Sequence, residues 1–219
     1  MIETEYDVIV AGYGPVGETC ANLLGYYGIK ALVLDKEKNA YPLPRAITWD
    51  AECQRAMSHC EFLSEVKTRK IRGVDNKDAN KKSIMKITME GFDTYNYQHR
   101  ILFIHQPQFD EAHRENAKKY STNIIKTGSE LLAVDEINGV VNCTYKDIET
   151  NEQFKVTSKY LLACDGANSK VRKLNNIKLN SLDADESWMV VDGYTKSSFD
   201  CFTDIAAIQY CNPTRPTTI

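Results

Sequence analysis

The chain holds 219 residues, and at about 150 residues per domain that is one domain plus roughly half of another. Its hydrophobic fraction is 42%, and exchanging its 12 tyrosines for its 11 glycines keeps the apolar class near that value, slightly under the usual ~45–50% but enough to exclude disorder and fibrous repeats. Lys and Arg number 27 against 30 Asp and Glu, a net charge of −3, too balanced to favour nucleic acid or an anionic membrane as partner, which leaves small-molecule chemistry.

The opening MIETEYDVIV has no basic n-region, and no later run approaches the ~18 apolar residues of a membrane span, so the chain reads as cytoplasmic. Residues 7–11 (DVIVA) form a short apolar, β-branched run, the mark of a strand buried on both faces. A helix is predicted from Pro15, with Val16, Cys20, Leu23, Leu24 and Tyr27 at helical spacing and Gly25 or Gly28 to end it. Residues 31–34 (ALVL) then give a second buried strand closed by Asp35, which completes a βαβ unit with a parallel sheet. After the turn-rich NAYPLPRA, an amphipathic helix is predicted over 51–66, with Cys53, Met57, Cys60 and Leu63 on one side.

Between residues 69 and 104 a polar loop, DNKDANKK, stands among β-like segments that include SIMKITM and DTYNYQHRILFI, an excursion from the parallel sheet into a second domain. A polar helix follows over 107–120, then NIIKT, and then two alternating strands, ELLAVDEI and VVNCTYKD, joined across Asn138-Gly139. With QFKVTS these make an antiparallel meander. YLLAC (160–164) reads as another buried parallel strand, ending at Asp165-Gly166 before a short basic helix, and SWMVVDGY and AAIQYC are the last β-like runs. Seven cysteines contain no C-x-x-C pair and fit free, buried or inert thiols, and four histidines show no zinc-ligand spacing.

The strongest motif is Gly12-Tyr13-Gly14-Pro15-Val16-Gly17, set between the first strand and its helix. Gly12 suits the tight turn, Gly14 lets a pyrophosphate approach the backbone, and Gly17 lets helix and strand pack closely. The helix N-terminus adds N–H groups and a positive dipole end. A glycine turn that only joins strand to helix has the same letters, so context decides. Asp35 ends the second strand 18 residues after Gly17, where a carboxylate can accept hydrogen bonds from an adenosine ribose.

The glycine motif, YPLPRA (41–46), HQP (105–107), YLLACDGANSKVRKL (160–174) and QYCNPTRPTT (209–218) together resemble the FAD-dependent aromatic hydroxylases, in particular the 3-hydroxyphenylpropionate hydroxylase type. The resemblance runs in register from near residue 5 to the end. It implies an α/β fold: a Rossmann-like FAD-binding domain, with a βαβ start and an antiparallel meander, and an α+β substrate domain. It also implies FAD as cofactor, NADH or NADPH as transient electron donor, and O2 as co-substrate, a flavin hydroperoxide hydroxylating a phenolic or aromatic acid.

Carried over by position, the resemblance assigns Gly12, Gly14, Pro15, Val16 and Gly17 to the pyrophosphate loop and Asp35, one methylene shorter than the family's usual Glu, to the ribose, with Lys36 beside it. Arg45 matches the arginine that pairs with FAD phosphates, a task for a planar, permanently charged fork; a solvated surface arginine is the alternative. Gln106 matches the glutamine that reaches the flavin's ribityl or phosphate region, or else caps its helix, and Arg114 matches an arginine on that helix. Leu132, Asp165 and Gly166 complete the cofactor set, and Asp165 with Arg172 also has a possible link to the nicotinamide donor. No catalytic side chain is assigned, because the flavin carries the difficult chemistry.

The family's third FAD motif, roughly G-D-A-A-H, has no counterpart: none of the 11 glycines is followed by Asp. The expectation is therefore an N-terminal portion, with the FAD-binding domain at 1–68 and 105–175 and an incomplete substrate domain at 69–104 and 176–219. Alone, it is expected to bind FAD weakly or not at all, and its partner would be a missing C-terminal portion or a second copy in a homo-oligomer. The alternatives are a non-catalytic remnant that keeps an ADP-binding or FAD-binding fold, and another flavoprotein of the same fold.

Overall fold

The computed structural model describes residues 5–58, 60, 66–89, 99–183, 186–191, 193 and 207–219. In chain order its elements begin with β1 (Tyr6–Ala11), α1 (Pro15–Tyr26), β2 (Ala31–Asp35), β3 (Thr48–Asp50), α2 (Ala51–Ala56), β4 (Thr68–Lys70), β5 (Gly73–Lys77), β6 (Ser83–Thr88) and β7 (Ile101–Ile104). They continue with α3 (Gln106–Lys118), β8 (Asn123–Thr127), β9 (Ser129–Ile137), β10 (Val140–Asp147), β11 (Gln153–Ala163), α4 (Lys170–Leu174), β12 (Ala207–Tyr210) and β13 (Thr217–Thr218). These divide into two compact units: Met1–Ile47, Ala56–Lys67 and His105–Asn180 form one, and Thr48–Arg55, Thr68–Ile104 and Ser181–Ile219 form the other.

The first unit is built on a six-stranded sheet ordered β8-β2-β1-β11-β10-β9. β1 lies parallel to both β2 and β11, and β2 parallel to β8. Side chains alternate along a strand, so β1 sends Ile9 and Ala11 into one core and Val8 and Val10 into the other. The first core also takes Leu32, Leu34, Leu131, Tyr145 and Val156, and the second takes Ala21 of α1 and Ala117 of α3. The α/β expectation holds: the sheet starts as a βαβ unit and ends as a β9-β10-β11 meander.

Three readings of single elements are corrected. QFKVTS and YLLA form one 11-residue strand, β11, antiparallel to β10 from Gln153 to Ser158 and parallel to β1 from Ser158 to Ala163. Its parallel half is not buried on both faces, since Tyr160 is 67% and Leu162 36% exposed. On α1 the buried residues are Gly17, Glu18, Ala21, Asn22 and Gly25, while Val16 and Tyr27 are exposed. Small residues let the helix approach closely: a Cβ on Gly17 would fall 1.9 Å from the Gly12 carbonyl oxygen, and one on Gly25 2.5 Å from the Tyr120 ring.

The second unit holds a four-stranded sheet ordered β13-β12-β5-β6 and a three-stranded one ordered β3-β7-β4, an α+β arrangement. The polar DNK that reads as loop lies in β5, where Asp75 and Asn76 are buried and Asp75 accepts a 2.6 Å bond from Ser83 Oγ. Of the helix predicted over 51–66, α2 covers Ala51–Ala56, and residues 59 and 61–65 lie outside those described. SWMVVDGY is not a strand over its described residues, and Trp188 to Val191 are exposed.

Among the described cysteines, all free, Cys60 and Cys143 are buried, Cys20 and Cys164 half-buried, and Cys53 and Cys211 exposed rather than inside. Cys201 lies outside the described residues. No helix among the described residues is long and apolar enough to cross a membrane.

Candidate functional site

Where β1 ends, the chain turns through Gly12 at φ +99, a left-handed conformation natural to glycine. The Gly12 N–H donates to the Leu34 carbonyl at 2.7 Å, and a Cβ there would lie 2.3 Å from the Cys164 carbonyl oxygen. Gly12 and Gly17 are thus fixed by packing. Gly14 differs, with nothing within 4 Å of where its Cβ would stand. It is the N-cap of α1, has no side-chain cap bond, and is followed by Pro15 in the first turn. The first-turn N–H groups have no intrahelical carbonyl to reach.

Asp35, at the end of β2, binds this loop directly. Its Oδ2 accepts from the Tyr13 N–H at 2.6 Å and its Oδ1 from the Glu37 N–H at 2.8 Å. Lys36 is exposed and lies 3.7 Å from Glu37. The loop is held from the other side by Arg114 of α3. That guanidinium donates to the Tyr13 carbonyl, sits 4.6 Å from the centre of the Tyr13 ring, and donates from Nε to Glu18 Oε1 at 2.7 Å.

Glu18 has no exposed surface. Burial pushes its carboxyl up to about 8 against the pull of Arg114 in the other direction. His113 Nδ1 is 3.8 Å from Glu18, but burial alone pushes this imidazole down to about 3, so it is neutral. Asn22 links the helices, donating to the His113 carbonyl at 3.0 Å and accepting from Asn116 at 2.7 Å.

The sequence reading overlooked Glu18, Asn22, His113 and Asn116. A signal was present: Gln106, Asp110 and Arg114 recur every four residues, which places them on one face of α3. Gln106 is buried at the start of that face. Its Oε1 accepts from the Arg45 and Ala46 N–H groups, both at 2.7 Å, and its Nε2 donates to Asp110 at 3.2 Å. It thereby clamps the PLPRA turn and leaves the Arg45 side chain exposed, 3.9 Å from the centre of the Tyr41 ring. A cavity of about 620 Å³ beside this clamp is lined by Tyr13, Lys38, Tyr41, Pro107, Arg114 and Lys118, among others.

Asp165 follows β11 at the same end of the sheet. Both its oxygens serve α4: Oδ1 accepts from Ser169 Oγ at 2.5 Å, and Oδ2 from the N–H groups of Lys170 and Val171 at 2.6 and 3.0 Å. Gly166 supplies the left-handed turn at φ +79 with open space around it. Arg172 Nη1 donates to the Ile177 carbonyl at 3.2 Å. Leu132, half-buried in β9, follows the core residue Leu131. Among the described residues no group of three or more His, Cys, Asp or Glu is placed to hold a metal ion.

A family model described as "FAD binding domain" matches residues 5–217. Over 216 residues the chain is 28% identical to the 3-(3-hydroxy-phenyl)propionate/3-hydroxycinnamic acid hydroxylase of Comamonas testosteroni, covering 98% of this chain and 36% of that protein. With the Escherichia coli K12 enzyme of the same description it shares 30% over 214 residues, covering 95% and 37%. The chain therefore spans little more than a third of these relatives' length. Among solved structures, p-nitrophenol 4-monooxygenase from Pseudomonas putida DLL-E4 superposes with a TM-score of 0.67 at 24% identity, covering 78% of this chain and 43% of that one. That likeness shows the fold.

Proposed function

Because the chain belongs to the family of FAD binding domains, we propose that it forms the FAD-holding part of a monooxygenase that uses NADH or NADPH and O2 to hydroxylate a phenolic or related aromatic acid. Similarity to 3-hydroxyphenylpropionate hydroxylases over 95–98% of the chain supports the reaction class. The observation that carries the cofactor reading is the open backbone at Gly14, held between the tightly packed Gly12 and Gly17 at the N-terminus of a 12-residue helix. A pyrophosphate needs that combination of close approach and positive dipole end.

In this reading the first unit binds FAD, and the second is part of the substrate-binding domain. Pro15 presets the helix start, and the N–H groups of Val16 and Gly17 meet the phosphates. Asp35 is partly exposed, and each oxygen keeps a lone pair beyond its backbone bond, so it serves the loop and the ribose together. Arg45 lies along the phosphates on a turn that Gln106 holds in place. Lys36, Leu132 and Gly166 border the cofactor, and Asp165 acts by fixing α4, which presents Arg172 to the visiting nicotinamide donor. FAD, when bound, supplies the activation of O2; the residues of this chain bind it and orient it.

The test is titration of the purified chain with FAD and with ADP, followed by flavin fluorescence and calorimetry. Gly14 has φ −87, which any residue adopts, and free space around it, so Gly14→Leu should fold normally yet lose binding of both ligands. Unchanged affinity in that variant would overturn the assignment. Oxidation of NAD(P)H that depends on a phenolic acid, in the FAD-loaded protein, separates a hydroxylase from a non-catalytic dinucleotide-binding chain.

A further inference from the structure

Cys20 on α1 and Cys164 just after β11 are 144 residues apart in sequence, yet their sulfurs lie 4.0 Å apart, half-buried beneath the glycine loop. Both side chains pack against the core that holds Val8, Val10 and Ala21. The Cys164 N–H donates to the Ala11 carbonyl at 2.7 Å, and its Cβ would stand 3.5 Å from a Cβ on Gly17. Bonded sulfurs sit about 2 Å apart, so an approach of about 2 Å closes the pair. We propose that Cys20 and Cys164 form a redox-active dithiol, which hydrogen peroxide oxidises to an intrachain disulfide under the glycine loop.

The chemistry balances within the pair. The Cys20 sulfur attacks a peroxide oxygen, the O–O bond breaks, and a sulfenic acid and one water result. The Cys164 sulfur then attacks the sulfenic sulfur, the S–S bond forms, the S–O bond breaks, and a second water leaves. Two thiols give up two electrons, the peroxide takes them, and both thiol protons end in water. The contact favours one thiolate beside one thiol: the hydrogen bond between the two sulfurs holds the Cys20 thiol below its ordinary value and raises its partner. The buried Cys143 lacks such help, since burial pushes its thiol up to about 11.

The test treats the native 219-residue chain with one equivalent of hydrogen peroxide, blocks remaining thiols by alkylation, and maps tryptic peptides without reductant. Residues 1–30 and 160–170 are the peptides that carry Cys20 and Cys164. They should appear joined, two hydrogens lighter than their sum, and separate on reduction. In Cys164→Ser the sulfenic acid on Cys20 should persist and be trapped by dimedone. Recovery of the two native peptides separately, as alkylated thiols or sulfinic acids, would overturn the proposal. So would Cys20 linked only to the exposed Cys53 or Cys211 of another chain. The native arm needs no substitution and so does not depend on a variant's folding.

Discussion

Beneath the glycine loop, Glu18 and Arg114 share a charge pair with 0% and 11% of their side-chain surfaces exposed. Removing one member of such a pair leaves the other buried without compensation. Arg114→Met should therefore cost up to about 3 kcal/mol in urea unfolding, with the full loss developing only above pH 8, where the Glu18 carboxyl is charged. The same substitution should cost less near pH 5. The Glu18 carboxyl is already raised to about 8 by burial, and without the guanidinium it takes a proton more readily, so its contribution is full at low pH and lost as pH rises. Equal losses above pH 8 and near pH 5 would contradict this account.

His113 works in the opposite direction. Its folded value lies near 3, below the ordinary 6.5, so between those values the unfolded chain binds the proton and the folded chain does not. The stability it contributes is complete above pH 6.5 and is lost as pH falls toward 3. His113→Phe keeps a ring against Phe109, which meets the imidazole edge-on at 4.4 Å. It should flatten the stability profile between pH 6.5 and 3 relative to the native chain; an unaltered slope would mean that other groups carry the acid loss.

At the level of elements, the hairpin between β9 and β10 turns on Asn138 and Gly139, both left-handed at φ +53 and +77, the turn that an Asn-Gly pair signals. A Cβ on Gly139 would touch nothing within 4 Å, so Gly139→Ala should cost only the backbone strain, about 1 kcal/mol in thermal or urea unfolding. A loss several times larger would show a packing role there. The hairpin and the βαβ start were legible because their signals are local: turn residues, a strand period and a glycine motif in consecutive residues. The apolar residues of α1 divide in a way that spacing does not show: Cys20 and Leu24 pack against the core while Val16 is exposed, and the small residues Gly17, Ala21 and Gly25 are buried. Close approach to Gly12 and Tyr120 selects the small residues. β11 was cut in two because its halves serve different partners, and pairing partners leave no trace in local composition.

For the whole molecule, the cofactor proposal has a thermodynamic counterpart. A ligand bound only by the folded state adds about 2.7 kcal/mol at a hundredfold excess over its Kd. FAD at that excess should raise the unfolding free energy of the native chain by that amount, and should add nothing to Gly14→Leu. Equal stabilisation of both would place the flavin elsewhere.

What the sequence determined by itself is the β1-loop-α1-β2 start, because glycine sterics, helix-start chemistry and strand period act over some thirty consecutive residues, and also the membership that its motifs imply. The tertiary structure alone decided what surrounds that loop. Arg114 reaches Glu18 across 96 residues, Gln106 reaches Arg45 across 61, and Cys164 reaches Cys20 across 144. Such contacts arise when the parallel pairing of β1 with β11 and the packing of α3 on α1 bring remote segments together. No short-range propensity encodes them, since only the closed sheet removes those side chains from water and makes each polar group find its partner.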